Sequence, residues 1–521
     1  MNELKLKLVA IFFLFLFGVS VYAQLTAEQI DSVVEKSMRV FNVPGMAVAV
    51  IDHEKLIINK AYGVQSVKTK KPVDNKTLFG IASVTKGFTT AALAQLVDQG
   101  KIEWDTKVRT IIPNFTLYSP FVSEEFTVRD LLVHRSGLGL GAGDLMVFPG
   151  KNTTTLEEMI HNLRYLKPVS SFRSKYDYDN LLYIVAGEII TRVSGISYRE
   201  YIENNFFKPL GMVRATMDWE KIQKDKNRID GHVPEGDKLL IAERTFTDIG
   251  DAAAGIYASI DDMVKYVQAR INYGKYGKNN QDSLFSLKQA EEMWSPQTVQ
   301  KFGKGDYNSR FTTYGLGWVV SEMAGHFQVS HTGGLNGIVC EVIILPDLEV
   351  GIIILTNQES GAAFRAISNT IKDAYFGIEG EDRIKQYHDR VIKNKEYEAK
   401  VIANVQAEME KSLAEGLLPL ADKAVVGTYE DNWFGKVEIT RLADNTLEFK
   451  AEKSPDLVGE MEFCKGTTYV VRWNQRWLRA DALVNFDLNY NGIARGFEMA
   501  PLSPLTDFSY DYQDLDFKKI E

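Results

Sequence analysis

A serine and a lysine three positions apart are the first residues whose types and spacing could do chemistry. They are Ser83 and Lys86 in the segment FGIASVTKGFTT, where an apolar run turns into a helical pattern. Residues at i and i+3 of a helix lie on one face, so the hydroxyl and the amine can meet. The positive end of the helix dipole, together with burial, would lower the pKa of Lys86 and let it accept a proton. The alternative is that Ser83 is an ordinary helix cap.

A second segment, KYDYDN, could add another proton carrier. Tyr178 lies in a loop just before a helix that is predicted to run from Asn180, with Asp179 as its N-cap. A phenol beside a serine and a lysine can take part in proton transfer. For Tyr178 alone, the alternative is a partly buried loop aromatic.

A third segment, HFQVSHTGGLNG, could supply an edge that holds a substrate. The run from His331 to Gly334 follows a predicted strand. Glycines at such a position let another backbone, such as that of a peptide-like substrate, approach closely. Taken alone, this stretch is typical of a glycine-rich turn.

Together the three motifs resemble a known superfamily. SVTK, YDN and HTGG occur in this order, accompanied by LLVHRSGL, DAAAGIYASIDDMVKY and YGLGW. This combination resembles the serine β-lactamase and penicillin-binding protein superfamily, in its class C β-lactamase and D-alanyl-D-alanine carboxypeptidase branch, over residues 26 to about 378. The last hundred residues resemble a lipocalin-like barrel that is appended to some of these hydrolases.

The resemblance implies a role for each site residue. Ser83 would be the nucleophile, and Lys86 with Tyr178 would take its proton and return it to the leaving group. No metal or cofactor is implied. The implied substrate-binding and oxyanion-hole residues are Asn180, His331, Thr332 and Gly333, and the backbone N–H groups of Ser83 and Gly334.

His331 departs from the pattern of common β-lactamases, which carry lysine at this position. Near neutral pH, histidine is a weaker fixed cation for a substrate carboxylate. The departure therefore favours peptidase, amidase or esterase action over dedicated antibiotic hydrolysis.

The elements that must position these residues come from both ends of the first 378 residues. A capping box at Thr26 and Gln29 starts a helix, and GMAVAVIDHEKLIINKAYG predicts a hairpin. Residues 126–273 are mainly helical, strands then return, and a helix follows from about Ala362 to Tyr375. We predict an α/β fold of the β-lactamase/transpeptidase type: one antiparallel sheet flanked by helices, with a helical insertion, over residues 24–378.

The C-terminal part differs in pattern. Residues 379–422 are charged and helix-favouring, which predicts a linker helix with a solvated face. From residue 423 to 521, about eight short alternating runs follow, with Asn491-Gly492 as a hairpin signal. We predict a small all-β, lipocalin-like barrel.

The first 23 residues have the features of a signal peptide. Lys5 and Lys7 precede an apolar run from Leu8 to Phe17, and small residues stand before a cut ahead of Gln24. We therefore expect an exported protein, periplasmic or secreted, without stable membrane insertion after cleavage. A formal net charge of -9 does not favour nucleic acid. The two cysteines, Cys340 and Cys464, are expected to be buried and free, with a disulfide bridge as the alternative.

Other motifs carry less. SGLGLGAGD follows a helical pattern rather than a strand, which argues against a nucleotide loop, and His134 just upstream is expected to organise this loop rather than react. The sequence has no nucleophile-elbow motif and no zinc-binding motif, and we predict no metal and no cofactor.

The predicted function is that of an exported serine hydrolase acting through an acyl-enzyme on Ser83. Its substrate would be a small molecule or peptide: a D-amino-acid peptide, a peptidoglycan-related compound or a β-lactam-like compound, cleaved at an amide or ester bond. One alternative is a penicillin-binding receptor that is acylated but scarcely turns over. Another is a ligand-binding barrel with a vestigial catalytic domain. The sequence does not fix the oligomeric state.

Overall fold

The computed structural model describes residues 24–520 apart from 237, 244–246, 302 and 304. The predicted signal peptide lies outside these residues. An antiparallel sheet of eight strands is built from two distant parts of the chain, in the order β2-β1-β8-β7-β6-β5-β4-β3, which confirms the predicted sheet. Its strands are β1 (Gly45–Asp52), β2 (Lys55–Gly63), β3 (Thr298–Val299), β4 (Thr312–Tyr314), β5 (Val319–Met323), β6 (His326–Leu335), β7 (Ile338–Leu345) and β8 (Val350–Thr356).

The centre of this sheet is buried on both faces, which explains its unbroken apolar runs. Every residue of β1 is buried, and successive side chains point to opposite faces of the sheet. Met46, Val48 and Val50 pack in one core with the helices Ala27–Phe41 and Gly361–Phe376. The alternate residues of β1 belong to the second core, which includes the helical region.

The helical region between β2 and β3 carries the first two motifs. Helix Thr85–Asp98 is buried along most of its length, because it is surrounded by other helices and by the sheet. Helix Ala27–Phe41 begins with the predicted capping box at Thr26 and Gln29. The α-helices are Ala27–Phe41, Thr85–Asp98, Val108–Ile111, Pro120–Glu125, Leu156–Asn162, Leu181–Ser194, Tyr198–Ile202, Lys208–Leu210, Trp219–Lys224, Asp251–Ala254, Ile260–Ile271, Leu287–Trp294, Gly361–Phe376, Arg383–Ala414 and Asp422–Val425.

In the described part of the chain, three short two-stranded sheets accompany the main sheet, and one of them adjoins the first motif. Phe79–Gly80 pairs with Tyr257–Ala258 immediately before the turn that contains Ser83. The other two pairs are His232–Glu235 with Lys238–Ile241 and Lys275–Tyr276 with Asp282–Ser283.

The C-terminal domain is a closed antiparallel barrel of eight strands, as predicted. Gly492 has a left-handed φ of 72° in the turn between the strands Ala482–Leu488 and Ala494–Pro501, where the sequence predicted a hairpin. The strands are β9 (Gly427–Asp431), β10 (Gly435–Arg441), β11 (Leu447–Ala451), β12 (Val458–Lys465), β13 (Thr468–Trp473), β14 (Ala482–Leu488), β15 (Ala494–Pro501) and β16 (Phe517–Lys519).

Aromatic side chains fill the barrel. Phe497 stacks on Phe517 with ring centroids 4.5 Å apart and contacts Phe486 at 5.6 Å and Tyr429 at 5.0 Å. An eight-stranded barrel is just wide enough for side chains or one small ligand. Because these rings are buried and contact one another, this part of the barrel is packed core, which weighs against the ligand-binding alternative.

The 32-residue helix Arg383–Ala414 lies within the predicted linker and contacts both domains. At its start, the Arg383 guanidinium forms an ion pair with the buried Asp373 of the first domain at 2.7 Å. Near its end, Met409 packs with Cys464 and neighbouring apolar residues of the barrel. Both cysteines are buried and free, which confirms that prediction.

The barrel also contacts the first domain directly. Lys453 pairs with Glu158 at 2.9 Å, and Asn162 donates a hydrogen bond to the Trp433 carbonyl at 2.9 Å. Among the described residues, no single helix is long and apolar enough to cross a membrane, although Leu181–Ser194 and Tyr198–Leu210, with a bend of 77° between them, meet the criterion as a pair.

Candidate active site

The structure brings Ser83 and Lys86 together. Ser83 lies in the 3₁₀ turn Ala82–Val84, and the helix begins at Thr85 without a side-chain cap from Ser83. The Lys86 Nζ atom lies 3.1 Å from the Ser83 Oγ atom. The interpretation of Ser83 as an ordinary helix cap is therefore wrong.

Lys86 is fully buried and held by fixed acceptors. Its Nζ atom donates to the Asn180 Oδ1 atom at 2.8 Å and to the Ala253 carbonyl at 3.0 Å. Burial lowers the pKa of Lys86 to about 7, although the nearby Asp144 and Asp179 oppose that shift. A neutral amine has two N–H donors, and the two fixed acceptors use both of them, so its lone pair is left for the Ser83 hydroxyl.

The turn that carries Ser83 is pressed against β6. Ala82, although not glycine, has a left-handed φ of 45° and is fully buried. A Cβ atom added to Gly333 would lie 2.3 Å from the Ile81 carbonyl oxygen, so only glycine fits there. The Cys340 thiol on β7 donates to the same carbonyl at 3.1 Å. The third motif therefore lies directly against the turn of the first.

Tyr178 lies beside both members of this pair. The Lys86 Nζ atom is 4.9 Å from the centroid of its ring. Burial raises the pKa of the Tyr178 phenol well above its usual range, and the neighbouring Ser83 hydroxyl works against that shift. The phenolic oxygen is buried without a hydrogen bond to any described residue.

His134 supports the Tyr178 loop, whereas the sequence predicted that it organises the SGLGLGAGD loop. Its ring lies 4.2 Å from that of Tyr178, and its Nδ1 atom accepts a hydrogen bond from the Asp179 backbone N–H at 3.1 Å. Burial holds the pKa of His134 well below its usual value, so the ring is neutral. The following helix begins at Leu181, one residue later than predicted, and the Asp179 side chain accepts from the Leu182 N–H at 3.3 Å.

Asn180 leads to a residue that the sequence analysis missed. Its Nδ2 atom donates to the Asp144 Oδ2 atom at 2.7 Å. Asp144 is fully buried, and burial, with the nearby Asp179, raises its pKa well above the usual value. Asp144 ends the SGLGLGAGD segment, in which a lone carboxylate among glycines was the one local signal.

His331 is buried, with both ring nitrogens used inside the protein. Its Nδ1 atom lies 2.6 Å from the Thr332 carbonyl, which can only accept, so Nε2 accepts from the Tyr314 hydroxyl at 2.8 Å. Burial and the neighbouring Lys86 lower the pKa of His331 to about 3, so it is uncharged at neutral pH. Thr332 and Gly334, in contrast, are exposed.

The C-terminal domain also reaches this site, which the sequence did not indicate. The Ser509 hydroxyl donates to the Asp144 Oδ2 atom at 2.9 Å. The Phe508 ring packs edge-on against Tyr178 with centroids 5.7 Å apart. A cavity of about 370 Å³ lies at this domain boundary, lined in part by Leu140 and Asp177 from one domain and by Phe508 from the other.

Two family models match the chain. The β-lactamase family matches residues 30–375, about two thirds of the chain. The chain belongs to the β-lactamase family. It is thus a serine hydrolase in the general sense. A second match, to a domain of unknown function (DUF3471), covers the barrel at residues 419–519. Among the described residues, no group of three or more His, Cys, Asp or Glu side chains could hold a metal ion.

Similar proteins include two relatives matched by sequence and two solved structures that share the fold. Unguisins hydrolase ungD of Aspergillus violaceofuscus is 26% identical over 78% of this chain and 75% of its own length. Protein flp of Staphylococcus aureus is 25% identical over 64% of this chain and 63% of its own length. An octameric penicillin-binding protein homologue from Pyrococcus abyssi shares the fold over 95% of this chain and 100% of its own, with 22% identity and a TM-score of 0.61. A class C β-lactamase shares it over 68% and 96%, with 22% identity and a TM-score of 0.53.

Proposed function

We propose that this chain is an exported serine hydrolase that cleaves amide or ester bonds through an acyl-enzyme on Ser83. The observation that carries the proposal is the environment of Lys86. A buried amine with a pKa near 7 has two of its positions fixed by acceptors and the third turned toward the Ser83 hydroxyl. A general base works best when its pKa lies near the working pH.

In the first step, the Ser83 Oγ atom attacks the substrate carbonyl carbon while its proton passes to the neutral Lys86 amine. A tetrahedral intermediate forms and then collapses as the bond to the leaving group breaks. The proton passes to that leaving group, and an acyl ester on Ser83 remains. Water repeats the sequence on the ester and regenerates the free hydroxyl.

Tyr178 is suited to the transfer toward the leaving group. Its raised pKa keeps the phenol protonated, so it acts as a proton donor rather than as a phenolate base. A phenol that donates its proton to the leaving group can take one back from the Lys86 ammonium. This assignment divides the work: Lys86 accepts from Ser83, and Tyr178 delivers.

The backbone N–H groups of Ser83 and Gly334 are the proposed oxyanion hole. Losing one such donor typically costs about 2.7–4 kcal/mol of transition-state stabilisation. The substrate would lie along the edge at Thr332, Gly333 and Gly334. Asn180 would hold a substrate amide, because its Nδ2 atom has a second N–H beyond the one that Asp144 accepts.

The substrate class is proposed from the neutral His331. A neutral ring that has both nitrogens engaged offers no fixed positive charge to a substrate carboxylate. This favours uncharged acyl compounds, such as esters and amides of D-amino-acid peptides, over β-lactams that carry a carboxylate. The name of a 26% identical relative, unguisins hydrolase, supports hydrolytic activity in general.

The test is intact-mass detection of acyl-Ser83 over time, with a penicillin and with simple acyl esters. An adduct that forms and disappears within the turnover time supports the hydrolase, and a panel of D-amino-acid anilides, esters and cephalosporins then ranks substrates. An adduct lasting hours identifies a receptor instead. If wild type forms no adduct, or if Ser83→Ala forms the same one, the proposal is wrong.

Export has its own test. The charged start, the apolar run and the small residues before Gln24 support cleavage at that point. N-terminal sequencing of the protein from its native host should give a chain that begins at Gln24. A chain that keeps Met1 would overturn the proposed export.

A further inference from the structure

We propose that Ser509, which belongs to the C-terminal barrel domain, is a positioning residue of the active site. It orients Asp144 and, through Asp144 and Asn180, the general base Lys86. The inference rests on the proposed function of Ser83. It makes the barrel a part of the catalytic machinery.

An unbroken series of hydrogen bonds links the barrel domain to the nucleophile. Ser509 donates to the Asp144 Oδ2 atom at 2.9 Å, and Asn180 donates to the same oxygen at 2.7 Å. Lys86 donates to the Asn180 Oδ1 atom at 2.8 Å and lies 3.1 Å from Ser83 Oγ. Each member between Ser509 and Ser83 is therefore held from both sides.

The orientation of the Asn180 side-chain amide decides which of its atoms faces Lys86. The Asp144 Oδ2 atom accepts from both Ser509 and Asn180, so it turns the Nδ2 end of Asn180 toward itself and the Oδ1 end toward Lys86. A proton on Oδ2 would let Asp144 donate there, which would permit the flipped amide. The flipped amide would present N–H groups to Lys86, and these cannot accept from its amine. Ser509 disfavours a proton on Oδ2 because its hydroxyl donates to this oxygen, which must stay an acceptor.

The segment that carries Ser509 is fixed independently of that hydroxyl. The Asp511 carboxylate accepts from the backbone N–H of Gly143 at 2.5 Å and of Leu145 at 3.3 Å, on either side of Asp144. Gly141 approaches the same segment so closely that an added Cβ atom would lie 2.5 Å from the Phe508 carbonyl oxygen. The barrel segment thus clamps the main chain around Asp144, and Ser509 acts on its side chain.

Charged and titratable groups surround this network. Asp144 senses the negative charge of Asp179 and the positive charge of Lys86, and it faces Asp511 across the domain boundary. Lys86 in turn lowers the pKa of its neutral neighbours His134 and His331. Removing the Ser509 hydroxyl favours protonated Asp144, which weakens the negative charge that supports protonated Lys86. The acidic limb of the pH profile should therefore move to lower pH.

The experiment compares Ser509→Ala with Ser503→Ala, using the ester or amide that acylates wild type fastest. Ser503 lies in the same segment but bonds Glu398 of the long helix. We expect kcat/KM of Ser509→Ala to fall about tenfold, as for the loss of a hydrogen bond to a charged group, with its acidic limb at lower pH. Ser503→Ala should match wild type in kcat/KM and in the pH of the acidic limb. Ser509→Thr, which keeps the hydroxyl, should regain most of the wild-type rate.

Folding is followed by the unfolding midpoint and by the fraction of Ser83 that can be acylated at saturation, which should be complete in every variant. If Ser509→Ala has the kcat/KM of wild type and its acidic limb lies at the same pH, the role of Ser509 is wrong and the proposed function still stands. A lowered rate with the limb in place, not regained in Ser509→Thr, would also overturn it. If wild type itself is not acylated on Ser83, the proposed function fails first.

Discussion

The side chains packed beside Ser83 and those inside the barrel are largely buried, yet they are of opposite chemical kinds. Beside Ser83 lie a buried lysine, two buried carboxyls and two neutral histidines, and several of their polar atoms, such as Asp144 Oδ1 and His134 Nε2, have no partner among the described residues. In the barrel, aromatic rings contact one another.

The polar groups beside Ser83 serve reactivity, whereas the aromatic rings of the barrel serve stability. A buried polar group without a partner costs free energy, whereas a packed aromatic ring supplies it. The first domain tolerates such groups around one hydroxyl and stabilises the surrounding fold with apolar packing. We therefore expect substitutions near Ser83 to change rates with little loss of stability, and substitutions inside the barrel to do the reverse.

The largest effect is expected from Lys86→Met, which keeps the volume of the side chain and removes the base. Acylation of Ser83 should slow by roughly 10²- to 10⁴-fold, the usual contribution of general-base catalysis. Stability should change little, since relief from burying an amine offsets the loss of its hydrogen bonds to Asn180 and Ala253. Stopped-flow acylation and thermal unfolding measure the two quantities. Lys60→Met, at an exposed lysine paired with Asp31, is the control, and an unchanged acylation rate in Lys86→Met would contradict the comparison.

Phe497→Ala tests the barrel. Removing a buried ring from the aromatic cluster should lower the free energy of unfolding of the barrel by about 3–5 kcal/mol. Below the unfolding transition, acylation should stay close to wild type. Denaturant unfolding gives the first value, and Tyr490→Ala, at a fully exposed ring in the same domain, should leave it unchanged. A slow but fully stable Phe497→Ala would reverse the expected division.

The pH dependence of acylation tests the role of Lys86 as the base in the active site. The neutral amine of Lys86 accepts the proton, so acylation should rise with pH and level off above a pKa of about 7. Two pH units below this pKa, the acylation rate should be about 100-fold lower than at the plateau. Asp179 also has a pKa raised to about 7, by burial. In Asp179→Asn, the acylation rate should therefore still fall at acidic pH, because Lys86 remains the base. The fall should occur at a lower pH, because Lys86 loses a negative neighbour. A rate that no longer falls at acidic pH would show that Asp179, not Lys86, is the titrating group.

The smallest effect is expected from Cys340→Ala. Its thiol supports the Ile81 carbonyl, next to the left-handed Ala82. Losing that hydrogen bond should cost about 1 kcal/mol of stability and slow acylation a few-fold. Acylation kinetics and unfolding are compared with Cys464→Ala, whose thiol lies in the small core beside the long helix and should not affect the rate. Equal rates in both variants would remove Cys340 from the support of the turn.

Local patterns were enough to predict the sheet, the barrel and the meeting of Ser83 with Lys86. The two-residue alternation of a strand and the three-residue spacing on a helix face both involve residues that are close together in the chain. Asp144, Ser509 and Tyr314 were missed because their partners are distant in sequence: 365 positions separate Ser509 from Asp144. A carboxylate that ends a glycine-rich loop and a serine in a C-terminal segment carry no local sign that they will meet.

Whether His331 would serve as a cation was also beyond the sequence. Its residue type predicted a weak positive charge near neutral pH, and the structure gives a neutral ring. The reason is tertiary: burial, together with the nearby Lys86, disfavours a proton. The Tyr314 hydroxyl that donates to this ring lies on β4, 17 positions earlier in the chain.

The long helix Arg383–Ala414 gives the chain an angular constraint. Arg383 fixes one end to the first domain, and Glu408 pairs with Lys465 of the barrel at 3.0 Å near the other. Each residue inserted into an α-helix advances the rest of the chain by about 1.5 Å and turns it by about 100°. A single insertion in its middle would swing the barrel around the helix axis and carry Ser509 away from Asp144, although every residue of the site would still be present.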